Sequence, residues 1–279
     1  MPELPEVETV MRGLAPRLEG RRIARLIQRR KDLRVPMPTK FAQRVEGRRV
    51  RHLERRAKYM LWRLEGGETI VVHLGMSGRM VLVPAKEANA KPFDAHDHVV
   101  FETDDGWQIR FNDARRFGLV LLLADGEIEG HKLFAGLGPE PLDQAFDGRA
   151  LAARLKGKRT PIKAALLDQR VLVGVGNIYA CEALYHAGIS PRRSAHTVKE
   201  DRAVRLMAAI KDVLGRSIRD GGSTLRDHVQ PDGELGYFQT RFSVYDKEGA
   251  TCPTPGCGRA VRRIVQSGRS TFYCARCQR

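Results

Sequence analysis

Residues 252 to 277 read CPTPGCGRAVRRIVQSGRSTFYCARC, and they decide the fold of the carboxy-terminal part of the chain. Cys252 and Cys257 form one close pair, Cys274 and Cys277 form another, and 16 residues separate the two pairs. Each pair can supply two thiolates from one tight turn, and two such turns complete a tetrahedral four-cysteine site. Because four protein ligands leave no open position, the spacing predicts one structural Zn²⁺ and not a catalytic one.

The insert between the cysteine pairs predicts two strands around a Ser267-Gly268 turn, and it is basic. Its arginines are Arg259, Arg262, Arg263 and Arg269. A zinc-held basic hairpin suits contact with phosphates or a groove of nucleic acid. The alternative is a zinc ribbon that only docks the carboxy terminus.

Composition favours a polyanion as partner. Lys and Arg number 49 against 33 Asp and Glu, which gives a formal net charge of +16 spread along 279 residues. Such an excess predicts a broad basic face. The amino terminus carries no apolar run and no stretch approaches about 20 apolar residues, so we expect neither a signal peptide nor a membrane span. Four of the five cysteines lie in the last 28 residues, which favours a metal site in a reducing cytoplasm over disulfides.

Upstream of the cysteines the pattern is helical. Apolar spacing predicts helices over 148–155, 161–169, 178–187 and 200–218, with Cys181 as a core residue of the third. The stretch VLVGVGNIYACEAL (171–184) lacks the third glycine of a dinucleotide fingerprint. Asn177 is a candidate N-cap, and a helix amino terminus behind a glycine turn suits a backbone phosphate. The alternative is a helical corner without a ligand.

The amino-terminal half predicts a β-sandwich with one leading helix over residues 3–18. The runs TIVVHL, RMVLV and VVFETDDGWQIRF are strand-like, and the last contains a hairpin signal at Asp105-Gly106. The chain is therefore predicted to be an α+β multidomain protein. Its predicted parts are a β-sandwich domain (1–130), a linker (131–147), a helical domain (148–240) with a polar loop near 221–240, and a zinc finger (241–279).

The opening PELPEVE, residues 2–8, allows two interpretations. Removal of Met1 would leave Pro2 with a free secondary amine, and an α-amino group titrates near about 8. Such an amine can attack an acetal-like carbon and form an iminium. Glu3 and Glu6 lie within reach, so that one can move protons while the other orients. The alternative is ordinary helix capping, because Pro and acidic residues suit a first helical turn.

Six motifs in one order resolve this choice. They are MPELPEVETV (1–10), RRAKYM (55–60), HLGMSG (73–78), NDARRFG (112–118), GVGNIYA (174–180) and the four-cysteine ribbon. From residue 2 to residue 279 the chain closely resembles the bacterial formamidopyrimidine-DNA glycosylases, also called 8-oxoguanine DNA glycosylase/AP lyases. The resemblance implies a β-sandwich with a leading helix, a helix–two-turn–helix domain and a zinc finger, with DNA in the cleft between. The first cysteine pair departs from the Cys-x2-Cys of many members, but both spacings fit tetrahedral zinc.

The resemblance also implies catalytic roles. Pro2 would be the nucleophile on C1′ of the damaged nucleotide once Met1 is removed, and Glu3 the proton donor and acceptor. Glu6 would support them. Lys58 would serve β-elimination and contact phosphate. Arg269 would bind the phosphate by the lesion and assist δ-elimination.

The same matching implies DNA contacts. A base inside a duplex must be extruded and its place filled. Met76 suits an apolar wedge, Arg115 suits the orphaned partner base, and Phe117 suits a flat ring between bases. The alternative places Met76 and Phe117 in the core and Arg115 on the surface. Further implied contacts to DNA are His73, His96, Lys158, Asn177 and Tyr245, with Lys163 near the lesion.

The sequence thus predicts a bifunctional glycosylase/AP lyase of base-excision repair. It would act as a monomer on double-stranded DNA containing oxidised purines, in the bacterial cytoplasm and on the nucleoid, with one structural Zn²⁺. One alternative is an endonuclease VIII-like enzyme for oxidised pyrimidines, and another is a non-enzymatic zinc DNA-binding protein. PELPEVE together with Met76, Arg115 and Phe117 favours the purine enzyme.

Overall fold

The computed structural model describes residues 2–88, 90–223, 231 and 236–279. The chain divides into two compact units, one formed by Met1–Ala135 with Asp220–Tyr237 and the other by Gly136–Arg219 with Phe238–Arg279. The domain boundaries given above stay predictions. Most of the polar loop near 221–240, residues 224–230 and 232–235, lies outside the described residues.

The first unit opens with helix α1 (Leu4–Leu18), as its periodicity predicts. Val7, Val10 and Leu14 are buried on its apolar face. Full burial of such side chains stabilises the fold by about 1.5–3 kcal/mol each. Packing against the core therefore fixes the position of this helix and of the residues in its first turn.

Two four-stranded antiparallel sheets form the sandwich. In chain order the strands are β1 (Ile23–Gln28), β2 (Val50–Arg56), β3 (Tyr59–Leu64), β4 (Glu68–His73), β5 (Arg79–Val83), β6 (Asp97–Thr103), β7 (Gln108–Asn112) and β8 (Leu119–Ala124). One sheet has the order β1-β6-β7-β5 and the other β2-β3-β4-β8. Large apolar side chains fill the space between them. For example, the rings of Trp62 and Phe101 lie 4.9 Å apart.

Details of the sandwich follow from local chemistry. The predicted β6–β7 hairpin turns at Gly106, whose φ of 85° only glycine adopts at little cost. Two short helices, α2 (Phe41–Val45) and α3 (Ala85–Ala88), were not predicted. Each is too short to show a helical period, and α2 exists because it buries Phe41 and Val45 against the core.

The second unit is helical and carries the zinc-finger hairpin. Its helices are α4 (Gly148–Leu155), α5 (Ile162–Leu167), α6 (Asn177–His186) and α7 (Glu200–Arg219), each within two residues of its predicted bounds. Cys181 is buried in this unit's core, as predicted. No helix among the described residues is long and apolar enough to cross a membrane.

The hairpin consists of β9 (Arg262–Gln266) and β10 (Arg269–Tyr273), which pair antiparallel. Ser267 and Gly268 have φ values of 49° and 71°, the left-handed conformations that a two-residue type I′ turn requires. The turn therefore follows from the Ser-Gly pair that predicted it.

Candidate active site and nucleic-acid interface

Two buried carboxylates lie at the start of α1. The backbone N–H of Glu3 donates to Oε2 of Glu6 at 2.9 Å. Oε1 of Glu6 accepts from both the backbone N–H and the hydroxyl of Ser223, each at 2.9 Å. Pro2 and Glu3 are also buried. Since both oxygens of Glu6 accept from fixed donors, Glu6 is suited to orienting its neighbours. The contact between Glu3 and Glu6 is also a helix-capping contact, so the capping interpretation and the predicted site are compatible.

Two described residues of the stretch 220–237, Ser223 and Pro231, contact other parts of the first unit. Ser223 forms an isolated β-bridge with Tyr237. Further along, the carbonyl of Pro231 accepts from Leu82 N–H at 2.9 Å. The Pro231 ring also lies 3.1 Å from where a Cβ on Gly13 would be. Pro231 thus lies against both α1 and the edge strand β5, and Ser223 contacts Glu6 on α1.

Lys58 lies in the two-residue turn between β2 and β3 and is 8% exposed. The turn is strained, because Ala57 has a φ of 56°, a conformation that costs a non-glycine residue about 1–2 kcal/mol. Arg55 holds it in place. Its Nε donates to Glu8 Oε2 at 2.8 Å, and its Nη1 donates to the carbonyl of Ala57 at 3.0 Å. Because Glu8 belongs to α1, this bridge fixes the Lys58 turn against the leading helix.

His73 ends β4, paired with Tyr59 on β3. Its Nδ1 accepts from the N–H of Gly75 at 3.0 Å, which assigns the ring proton of the neutral form to Nε2. Burial, with smaller contributions from the positive charges of Lys58 and Arg34, lowers the pKa of His73 from 6.5 to about 4. His73 is therefore neutral at physiological pH and suited to donate one hydrogen bond from Nε2.

Met76 and Phe117 are both exposed, which contradicts the alternative that places these two residues in the core. Met76 is 39% exposed and Phe117 is 45% exposed. The guanidinium carbon of Arg115 lies 4.8 Å from the centre of the Phe117 ring, within the range of a cation–π contact. Two neighbouring loops therefore present apolar and cationic side chains to solvent.

These two loops pack backbone to backbone. A Cβ added to Gly75 would lie 2.4 Å from backbone atoms of Phe117 and Gly118, a distance that no real contact allows. Beside them, the carbonyl of His96 accepts from Asp113 N–H at 3.0 Å. His96 itself is exposed. The structure thus places His73, Met76, His96 and the 115–117 segment in one connected region of the first unit.

In the second unit, a buried lysine connects another group of predicted residues. Nζ of Lys163, which is fully buried, donates to Asn177 Oδ1 and, at 3.3 Å, to the carbonyl of Ser270. Asn177 Nδ2 donates to the same carbonyl at 3.0 Å and to the hydroxyl of Tyr245 at 3.5 Å. Arg269, which precedes Ser270, is exposed. Three predicted residues, Lys163, Asn177 and Tyr245, therefore converge at the amino terminus of α6, and Arg269 adjoins Ser270 in sequence.

The structure corrects one local expectation at this point. Gly176, and not Asn177, is the N-cap of α6. The Asn177 side chain is engaged with Lys163 and Ser270, so it does not cap its own helix. Lys158 lies in the turn between α4 and α5, where its carbonyl accepts from His196 N–H at 2.8 Å. The contact that fixes that turn is therefore made by the Lys158 backbone.

The four cysteines fit a zinc ion. Their sulfur atoms all lie within 4.8 Å of one another. Sγ of Cys252 lies 3.8 Å from that of Cys277, and Sγ of Cys257 lies 3.6 Å from Cys274 and 3.4 Å from Cys277. Zn–S bonds of about 2.3 Å in a tetrahedron require S–S separations of roughly 3.8 Å. The four thiolates would thus hold one Zn²⁺ with only small shifts and leave no position for a substrate.

Comparison with known families covers most of the chain. Residues 1–120 match the model of the formamidopyrimidine-DNA glycosylase N-terminal domain, and residues 137–229 match the model of its H2TH domain. Residues 249–279 match the zinc finger found in FPG and IleRS. The chain belongs to the formamidopyrimidine-DNA glycosylase family. The predicted family, fold class and structural zinc are therefore confirmed.

Full-length relatives of this glycosylase family agree. Proteins named formamidopyrimidine-DNA glycosylase from Cereibacter sphaeroides and Dinoroseobacter shibae are each 55% identical, with all of both chains covered. The structure of the MutM (FPG) protein of Thermus thermophilus has a TM-score of 0.86 and 42% identity over 99% of this chain and 98% of that one.

Two complexes of Lactococcus lactis FPG also match. One is a mutant bound to DNA containing Fapy-dG, and the other is the wild type bound to DNA containing an oxidised pyrimidine. Each has a TM-score of 0.87 and 31% identity over 99% of both chains.

Sequence reasoning missed two buried polar residues of this glycosylase-family site. Glu182, 1% exposed, accepts the backbone N–H groups of Ser243, Val244 and Tyr245 at 2.8, 2.9 and 2.8 Å and so fixes the segment that carries Tyr245. Its signal was a lone acid in the apolar helix NIYACEALY. Ser223 offered no signal, because its contact with Glu6 joins residues 217 positions apart.

Proposed function

We propose that this chain is a bifunctional DNA glycosylase/AP lyase that excises oxidised purines from double-stranded DNA and then cuts the strand by β,δ-elimination. Family membership confirms the class of enzyme, a DNA glycosylase of base-excision repair. The substrate range, the residue roles and the cleavage chemistry are the proposal. The observation that carries it is the burial of Pro2 and Glu3 at the first turn of α1, with the Glu3 backbone held by Glu6.

The glycosylase step requires removal of Met1. The freed secondary amine of Pro2 forms a bond to C1′ of the damaged nucleotide as the bond from C1′ to the base nitrogen breaks. The base leaves with that electron pair and takes up a proton from Glu3. Glu3 then takes the proton from the Pro2 nitrogen and passes it to O4′ as the C1′–O4′ bond breaks, which opens the sugar ring and leaves C1′ bound to Pro2 as an iminium. Glu6 transfers no proton, because its oxygens are held by Glu3 and Ser223.

The lyase steps follow from the iminium. It acidifies C2′, so that loss of a proton there breaks the C3′–O bond and releases one phosphate, and a second elimination releases the other. Lys58, which Arg55 holds against α1, is suited to the first elimination. Arg269 is suited to bind the phosphate beside the lesion.

DNA binding would use both units. The group formed by Lys163, Asn177 and Tyr245 lies at the amino terminus of α6, where backbone N–H groups and the helix dipole favour a phosphate. Neutral His73 would donate to another phosphate. Met76 and Phe117, already exposed, would fill the space of the extruded base. We place this activity in the cytoplasm, on the nucleoid, and in a monomer.

The rival on the same scaffold prefers oxidised pyrimidines, and the L. lactis complex with an oxidised pyrimidine makes it a real alternative. A panel of duplexes, each with one lesion, separates the two. We expect single-turnover release of 8-oxoguanine and formamidopyrimidine to be faster than release of thymine glycol. Faster release of thymine glycol would exclude the purine assignment.

A further inference from the structure

We propose that Asp113 is a positioning residue that aligns the two loops bearing Met76, Arg115 and Phe117, a role that rests on the proposed function. The first wedge loop is residues 74–78 and the second wedge loop is residues 113–118. Both leave the ends of strands, and their exposed side chains must enter DNA together. The contacts that fix the two loops relative to each other therefore decide whether the wedge is formed before DNA binds.

The Asp113 side chain contacts both wedge loops. Its carboxylate is fully buried. Oδ1 accepts from the hydroxyl of Ser77 in the first loop at 2.6 Å. Within the second loop, Oδ2 accepts from Gly118 N–H at 2.8 Å, and Oδ1 accepts from Arg115 N–H at 3.3 Å. One carboxylate thus joins the residue after Met76 to the backbone on both sides of Phe117.

The backbone of Asp113 is fixed independently. Its N–H donates to the carbonyl of His96 at 3.0 Å, and its carbonyl oxygen lies 2.8 Å from Nε2 of His98. Because these contacts come from the start of β6, Asp113 is anchored to the sheet while its side chain reaches outward. The carboxylate therefore fixes both loops relative to the sheet.

The loops have little room to readjust. Gly75 contacts the backbone of Phe117 and Gly118, and a Cβ on Gly118 would lie 2.6 Å from the Phe111 ring. Ser77 also accepts from Arg115 N–H at 3.2 Å, which adds a second connection between the loops. A change at Asp113 or Ser77 must therefore alter the relative position of the wedge side chains, because close packing prevents smooth accommodation.

The test separates extrusion of a base from chemistry on the sugar. Asp113→Asn keeps the size of the side chain but replaces one acceptor oxygen with a donor. Ser77→Ala removes the two bonds that the hydroxyl makes to the second loop, to Asp113 Oδ1 and from Arg115 N–H, and leaves the carboxylate intact. Each variant is assayed on an 8-oxoguanine:cytosine duplex, where the base must be extruded, and on an abasic site opposite a one-nucleotide gap, where neither a lesion base nor a partner base is present.

A matched control is Thr69→Val. Thr69 is fully buried in the same unit and donates to Asp125 Oδ1 at 2.5 Å, but this pair belongs to the ends of β4 and β8. The control removes a partly buried hydroxyl–carboxylate bond, together with the contact from Arg63 Nη1 to the same hydroxyl at 3.2 Å, without touching either wedge loop. Thermal unfolding of each variant shows how much of any defect comes from lost stability.

We expect kcat on the paired lesion to fall roughly 10- to 100-fold for Asp113→Asn and about 3- to 10-fold for Ser77→Ala. Cleavage of the gapped abasic site should stay within about 3-fold of wild type for both variants, and for Thr69→Val on both substrates. A 2-aminopurine beside the lesion should show slower base extrusion in the two loop variants.

Equal losses on both substrates, or no loss on the paired lesion, would overturn the positioning role. If Asp113→Asn does not fold, Ser77→Ala decides alone. Failure of the proposed function looks different, because the wild-type protein itself would then release no 8-oxoguanine from the duplex.

Discussion

Replacement of Glu6 by glutamine tests the buried network at the start of α1. In the native protein the two oxygens of Glu6 accept from Glu3 N–H and from both donors of Ser223, and the side chain is 2% exposed. Glutamine has nearly the same shape, but only one of its two terminal atoms accepts. Whichever way the amide turns, its NH₂ group faces a buried donor.

The magnitude follows from that mismatch. Hydrogen bonds to a charged acceptor contribute about 1.5–3 kcal/mol each, and a buried N–H left without a partner costs about 1–3 kcal/mol. We therefore expect Glu6→Gln to lower the free energy of unfolding by about 2–5 kcal/mol. For a unit of this size, about 2–4 °C is lost per kcal/mol, which gives a fall in Tm of roughly 4–20 °C.

Two assays follow the change. Differential scanning calorimetry reports the Tm, and single-turnover trapping with borohydride reports how fast the covalent DNA adduct forms. We expect slower trapping with an unchanged shape of the pH profile, because Glu6 positions groups and transfers no proton.

Glu19→Gln is the matched control, since Glu19 accepts one backbone N–H, that of Leu53, at 2.7 Å near the other end of α1. We expect it to lose only about 1 kcal/mol and to trap DNA at the wild-type rate. A Glu6→Gln protein that melts within about 1 °C of wild type would refute the reasoning.

Three further measurements test other parts of the molecule. The pKa of His73 is about 4 in the folded protein and 6.5 in the unfolded chain. As the pH falls below 6.5, the unfolded state therefore binds a proton that the folded state does not. The free energy of unfolding measured in urea should therefore fall by about 2 kcal/mol from pH 7 to pH 5, and His73→Gln should remove that loss. If the stability of the variant depends on pH as that of wild type does, His73 is not the cause. Removal of Zn²⁺ by a chelator should abolish tight DNA binding while the first unit still melts cooperatively, and tight binding after verified zinc loss would exclude a role for the finger. With six to ten phosphate contacts, affinity should fall roughly 10³- to 10⁵-fold between 50 and 200 mM salt, and a flat response would rule out the basic interface.

Strongly periodic or motif-bound features could be predicted from sequence, whereas distant contacts could not. Apolar spacing predicts the long helices, and the cysteine pairs predict the zinc hairpin. Helix α2 (Phe41–Val45) is too short to show a helical period. Motifs located the site residues without showing what holds them. Ser223 bonds Glu6 only because the fold brings them together, and the orientation of Asp113 toward two loops depends on packing that no local pattern encodes.

The central claim is that Pro2 forms the covalent intermediate once Met1 is removed. The most direct test is borohydride trapping on 8-oxoguanine DNA, with the mass of the amino-terminal peptide measured on the same sample. We predict that protein lacking Met1 is trapped, that the adduct maps to Pro2, and that Pro2→Gly traps far less. Absence of any covalent adduct from protein verified to lack Met1 would contradict the account.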